Sequence, residues 1–269
     1  MIVSHQADGA TAHLRATLAV EEVSATARLQ ATLAVVAEIL AVAAAISKQA
    51  MKIAAIADTH GIPFEIPEAE VFIHGGDMTG WGNWAETAAL GKHLGEEVSG
   101  HVLLIPGNHD NAFEEFPRAE MYPFQPCVHL LIDQVWEYKG LVFYGSPWTN
   151  LFENVNPRCR AFMRTEDDLR RCFLKMPAEI DVLVTHSPPR GILDDGKGSI
   201  ALREAIKRRK IRRHLFGHIH ECGGRSHIET QSEGAGREFY NISAIAMKPR
   251  EGFRNRIRTY CGPPLQLEF

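Results

Sequence analysis

Five short segments carry carboxylates, imidazoles and an amide at spacings that let them share an ion: Asp58-Thr-His60, Gly76-Asp77, Gly107-Asn108-His109-Asp110, His186 and Gly217-His218-Ile-His220. In extended backbone, residues i and i+2 point to the same side, so Asp58 and His60 can grip one ion together, as can His218 and His220. The glycines before Asp77, Asn108 and His218 remove a Cβ where the chain must turn tightly or approach a ligand closely. Imidazole, carboxylate and amide oxygen without thiolate suit Mn²⁺, Fe²⁺/Fe³⁺ or Zn²⁺. The seven groups Asp58, His60, Asp77, Asn108, His186, His218 and His220 are too many for one ion. They match two divalent ions that share a carboxylate. Ions about 3.5–4 Å apart clamp the attacking and leaving oxygens of a phosphoryl group, so phosphoester hydrolysis is the chemistry such a set performs.

The elements that must position these residues are legible around them. Apolar runs of strand length recur at Ile53–Ala57, Val71–His74, Val102–Ile105, Val128–Ile132, Leu141–Tyr144, Ile180–Thr185, His214–Phe216 and Phe239–Ala246. Helical patterns fall between them at Trp84–Glu97, Thr165–Met176 (with Thr165 as N-cap) and Ser199–Lys210. Continuous apolar strands alternating with helices predict a layered α/β domain whose sheet is buried on both faces. In such sheets ligands bind at the carboxyl ends of strands, and there each of the five segments stands.

The ordered set Asp-x-His, Gly-Asp, Gly-Asn-His-Asp, His, Gly-His-x-His resembles that of the calcineurin-like metallophosphoesterases and spans residues 53–220. Two further stretches, Tyr144–Thr149 and Thr185–Asp194, are similar to the metallophosphoesterase-domain-containing subgroup, close to the class III cyclic nucleotide phosphodiesterases. The resemblance implies a layered sandwich of two mixed β-sheets flanked by helices. It implies that Asp58, His60 and His220 hold the first ion, that Asn108, His186 and His218 hold the second, and that Asp77 bridges both. A water or hydroxide between the ions would be the nucleophile. His109 would be the general acid at the leaving oxygen or a stabiliser of phosphoryl charge, and Asp110 would orient His109. Some members of the subgroup have glycine in place of the first histidine of Gly-His-x-His; His218 keeps that site whole here. The reaction implied is hydrolysis of a small phosphodiester or nucleotide, with cyclic nucleotides as reasonable substrates. Phosphomonoester or nucleic-acid hydrolysis on the same ions, and nucleotide binding without turnover, are the alternatives. Trp81, Trp84 and Trp148 could line a substrate pocket, Trp148 first because its segment matches the subgroup; core or rim packing is the equal alternative for all three.

Composition supports this reading. The chain has 269 residues, 45% hydrophobic and 23% charged, enough apolar material for a globular core. A net charge of -4 gives no general reason to expect a nucleic-acid coat. The five cysteines are odd in number and form no C-x-x-C pair, so neither a disulfide framework nor a cysteine zinc site is indicated, and a reducing cytoplasm is the simplest home. Residues 1–50 differ from the rest: they are alanine-rich, lack proline and predict a helical extension over Thr11–Ser47, ahead of a functional domain at 51–269. The apolar stretch 31–46, interrupted by Glu38, falls short of the ~20 residues of a membrane span. The arm suits packing on the domain or pairing with a second copy, unless Met51 is the functional start. The cations of Arg203–Arg213 read as the solvated end of a helix; as a positive rim they would attract phosphate-bearing substrates, RNA among them.

Overall fold

Alternation of buried side chains along the strands sets the layers. In the computed structural model, residues 30, 32–36, 50–151, 157–230, 236–249 and 256–269 are described. The strands are β1 (Lys52–Ile56), β2 (Val71–His74), β3 (His101–Leu104), β4 (Val128–Leu130), β5 (Gln134–Tyr138), β6 (Leu141–Ser146), β7 (Thr149–Asn150) and β8 (Met163–Arg164). They continue with β9 (Glu179–Thr185), β10 (Lys210–Phe216), β11 (Ser226–Glu229), β12 (Arg237–Asn241), β13 (Ile245–Pro249), β14 (Arg256–Cys261) and β15 (Leu265–Glu268). The helices are α1 (Trp84–Glu97), α2 (Asn111–Glu115), α3 (Glu166–Cys172) and α4 (Ile200–Lys207).

One sheet runs β15-β1-β2-β3-β4, parallel except for β15. The other runs β11-β12-β10-β9-β6-β5, with a parallel centre and antiparallel edges. Ile53, Ala55, Val71, Ile73, Leu103 and Ile105 of the first sheet meet Phe143, Val182, Val184 and Leu215 of the second. The intervening residues Ala54, Ile56, Phe72, Val102 and Leu104 face outward onto Ala88 and Leu94 of α1. On the far face of the second sheet, Tyr144, Leu183, Phe216 and Phe239 pack against Leu169 of α3 and Leu202 and Ile206 of α4. This is the expected sandwich of two mixed sheets flanked by helices.

The helix signals act as the sequence implies. Thr165 accepts from the Asp168 amide at 3.3 Å and Ser199 from Leu202 at 3.1 Å, each serving as N-cap. Two expectations are corrected. The basic run is not one helix: α4 ends at Lys207 and β10 begins at Lys210, where Arg213 pairs with Glu238 at 2.7 Å. Arg209 is half-buried and donates to the carbonyls of Phe173, Ala205 and Met176, closing the ends of neighbouring elements. Phe239–Ala246 is two strands, not one, because at Ala57↔Ser243 the chain leaves β12 to bridge the extension of β1. That bridge stitches the two sheets together at their carboxyl ends.

Of the helical extension, Gln30 and Thr32–Val36 are helical; the rest of Thr11–Ser47 lies outside the described residues. Cys127, Cys159, Cys172 and Cys222 are free thiols. Among the described residues no helix is long and apolar enough to cross a membrane.

Candidate metal centre

Each segment of the expected set leaves the carboxyl end of a parallel strand: Asp58 after β1, Asp77 after β2, Asn108 and His109 after β3, His186 after β9, and His218 and His220 after β10. The loops are zipped by main-chain bonds from Asp58 N to Gly76 O (2.8 Å) and from His60 N to Asp77 O (2.9 Å). Four of these residues adopt left-handed backbone: Asp58 (φ 59°), His60 (47°), Asp77 (52°) and His218 (67°). Such conformations cost of order 1 kcal/mol each in an L-residue and persist where the surroundings over-determine them. Here the four residues present their donor atoms to shared groups. Gly217 permits a close approach, since a Cβ on it would lie 2.4 Å from Asp58 Oδ2.

The side chains converge on common points rather than on each other. His60 Nε2 lies 3.7 Å from Asp77 Oδ2, His186 Nε2 3.3 Å from Asp77 Oδ1, and His220 Nε2 3.4 Å from Asp58 Oδ1. His60 and His220 bring their Nε2 atoms within 3.4 Å of one another. All of these separations exceed the 2.7–2.9 Å of a charge-assisted hydrogen bond. Two groups of donor atoms emerge, each within 4.8 Å mutually: Asp58, His60 and His220, and Asp77, His186 and His218. Asp77 also joins His60 and His109 in a third, which places it between the others. Asn108 Oδ1 stands 3.1 Å from His186 Nε2, with its amide nitrogen tied to Cys159 O at 3.0 Å. The buried Asp58 Oδ1 accepts no hydrogen bond. A buried carboxylate oxygen without a donor is costly in an apolar core and suited to a cation. The residues therefore fit a divalent-ion site by position, burial and donor chemistry.

The electrostatics agree. Burial pushes the Asp77 carboxyl up, yet the His186, His109 and His60 imidazoles outweigh it and hold the acid well below its ordinary range. Burial pulls His186 down, but Asp77 and Asp58 raise it to about 9. His218 is lowered to about 3 by burial and by His186. Asp110 is raised to about 6 by burial and by the charge of Asp77, against the donors it accepts.

Two expected roles are not supported by the geometry. Asp110 does not orient His109: its carboxylate accepts from the amides of Met78, Thr79 and Gly107 and from the Thr79 hydroxyl, bracing one loop against another. The carbonyl of Gly80 instead lies 3.1 Å from His109 Nδ1, and leaves Nε2 facing the centre, 3.8 Å from Asp77 Oδ2. For Trp148 the contacts are those of the packing alternative. Its indole N–H donates to Asp133 at 2.8 Å, its ring meets Phe162, and the Arg164 guanidinium lies 5.0 Å over its face. Two buried imidazoles, His74 and His214, have roles that the sequence does not disclose. They bond Thr59 Oγ1 (3.0 Å) and Thr185 Oγ1 (2.8 Å), the residues beside Asp58 and His186. Alternation along a strand marks them as inward but does not reveal their partners.

A model of the calcineurin-like phosphoesterase family matches residues 51–222, most of the chain beyond its first fifty residues. The chain belongs to the calcineurin-like phosphoesterase family. A UPF0046 protein of Caenorhabditis elegans is 30% identical over 198 residues, covering 63% of this chain and 68% of that protein. Human metallophosphoesterase domain-containing protein 1 is 29% identical over 204 residues, 63% of this chain and 60% of its own length. The chain thus spans less than two thirds of the human relative. The crystal structure of the protein TT1561 of Thermus thermophilus shares the fold, with a TM-score of 0.51 at 14% identity over 73% of this chain and 92% of that one. Membership in the calcineurin-like phosphoesterases and the clustered aspartates and histidines together mark a divalent-metal site of phosphoesterase type.

Proposed function

We propose that the chain is a metal-dependent phosphohydrolase that cleaves small phosphodiesters, with cyclic nucleotides among its substrates. The observation that carries this reading is His109, held by Gly80 O through Nδ1 with Nε2 at the edge of the donor cluster. Asp58, His60 and His220 would hold one ion, Asn108, His186 and His218 the other, with Asp77 shared. When bound, such ions polarise the phosphoryl group and bring a water toward deprotonation near neutral pH. The chain's own residues supply the rest. His109, as imidazolium, keeps its Nδ1 proton on Gly80 O and offers the Nε2 proton to the leaving oxygen. An alkoxide, a poor leaving group, needs that proton more than an aryloxide does, which favours diesters with alkyl leaving groups such as ribose oxygens. Asp110 and the Thr59–His74 and Thr185–His214 pairs keep the ligand loops from relaxing.

Metal analysis of the purified protein followed by turnover of cyclic nucleotides, bis-aryl diesters and monoesters with Mn²⁺ tests the proposal. We expect two ions per chain and faster diester than monoester turnover. Asp77→Ala should lose both ions and reduce activity beyond the about 10–100-fold typical of a lost outer partner. Turnover restricted to monoesters, or full metal content in Asp77→Ala, overturns the assignment.

A further inference from the structure

The turn that aims His109 also carries Trp81, the most exposed tryptophan among the described residues at 61%. The other three are engaged in packing. Trp84 donates to Met121 O at 3.1 Å and stacks on Tyr122, Trp136 stacks on Tyr138, and Trp148 is tied to Asp133. Trp81 is solvent-facing on a backbone that is tightly fixed. Gly80 before it accepts from the His109 ring, and its own carbonyl accepts from Asn111 Nδ2 at 3.3 Å. Gly82 after it is left-handed (φ +67°), accepts from Ala112 N at 2.8 Å, and sits so close to the His109 carbonyl that a Cβ would come within 1.9 Å. The same Asn111 amide donates to Arg158 O at 2.8 Å, and the Arg158 guanidinium lies over the Trp81 ring, 6.0 Å from its centroid. An indole left in water sacrifices a large apolar burial, and holding it rigid cuts the entropy lost when a flat ligand lands on it.

We propose that Trp81, backed by Arg158, is a stacking platform for an aromatic group of the substrate, a nucleobase or an aryl ring. The placement rests on Gly80: Trp81 follows the residue whose carbonyl holds the His109 imidazole, and that imidazole borders the donor cluster. The platform makes the chain prefer nucleotide and aryl esters to alkyl esters of similar charge. In its catalytic consequence the inference rests on the phosphodiesterase reading; in its binding consequence it does not.

The test compares wild type, Trp81→Ala and Trp81→Phe, each loaded with Mn²⁺. Stacking on a single side chain has an energy that corresponds to about tenfold in affinity or more. Trp81→Ala is therefore expected to bind adenosine monophosphate about tenfold more weakly in equilibrium dialysis. It should also lower the ratio of kcat/KM for a bis-aryl diester over a dialkyl diester about tenfold, through KM. Trp81→Phe should recover most of both. Unchanged affinity and unchanged ratio in Trp81→Ala, or a loss that Phe does not restore, overturns the platform. If the wild type cleaves no diester but binds the nucleotide in a Trp81-dependent way, the diesterase reading fails and the platform stands.

Discussion

At the scale of the residue, the acid role of His109 depends on a main-chain carbonyl, not on the neighbouring aspartate. Gly80 O accepts from Nδ1–H and fixes the ring plane, so Nε2 is the nitrogen that faces a leaving oxygen and, in the protonated ring, carries the proton to be given. Removing the ring should slow hydrolysis of an alkyl diester by about 10²–10⁴-fold, the range for a positioned acid, while an activated aryl ester loses far less. Equal losses on both substrates for His109→Ala would assign the residue to charge stabilisation instead. The different role of Asp110 has a physical cause. Sequence adjacency suggests contact, but at φ -91° and ψ 58° Asp110 turns at the start of α2 and sends its carboxylate inward to the Met78, Thr79 and Gly107 amides. For Trp148 the sequence left pocket lining and packing open, since a motif gives its neighbourhood without saying which groups claim the indole.

At the scale of the element, the strands end where their ligands begin, and the loops are held by contacts that tolerate no extra atom. Gly217 shows this best, because the neighbours of an added methyl, Asp58 Oδ2 at 2.4 Å and Ala57 Cβ at 2.6 Å, sit on backbone that cannot retreat. Gly217→Ala should cost about 1–3 kcal/mol, as overpacking does, and displace Asp58 from the cluster. The expected outcome is a lower melting temperature together with loss of metal at the Asp58 side; a variant with wild-type metal content would contradict it. Strand ends and helix caps are legible because Gly, Asp, Thr and Ser at those positions act locally. The Lys210–Phe216 strand looks shorter in the sequence, as His214–Phe216, because its first half alternates Ile211 with cations. Their ties to Glu179 and Glu238 come from the neighbouring strands β9 and β12.

At the scale of the molecule, the centre lies where two sheets meet, and its charge balance belongs to both. His186 on the second sheet approaches Gly75 O through Nδ1 at 3.0 Å, and its Nε2 faces Asp77 of the first sheet. With a pKa raised to about 9, mainly by Asp77 against the opposing pull of burial, the ring carries both protons at neutral pH. Ligation at Nε2 must displace one of them. Below about pH 9, affinity for Mn²⁺ should therefore rise by up to about tenfold per pH unit through this residue, then level off as pH passes the raised pKa. Calorimetric titration at pH 7 in buffers of different ionisation enthalpy should register proton release on metal uptake. Binding with no proton release would show that His186 is already neutral, or is not a ligand.

The chain's own letters determined which side chains could act, their order, and their position at strand ends, because strand, cap and turn signals are local and a donor set is a matter of residue type. Tertiary structure decided which of them meet. His218 N reaches Asp58 Oδ2 across 160 positions at 2.8 Å. Left-handed backbone at Asp58, His60, Asp77 and His218, which Asp and His adopt more readily than most residues, is held in place by the surrounding loops. Contacts of that kind depend on how two sheets stack and where their loops collide, and no window of sequence contains both partners.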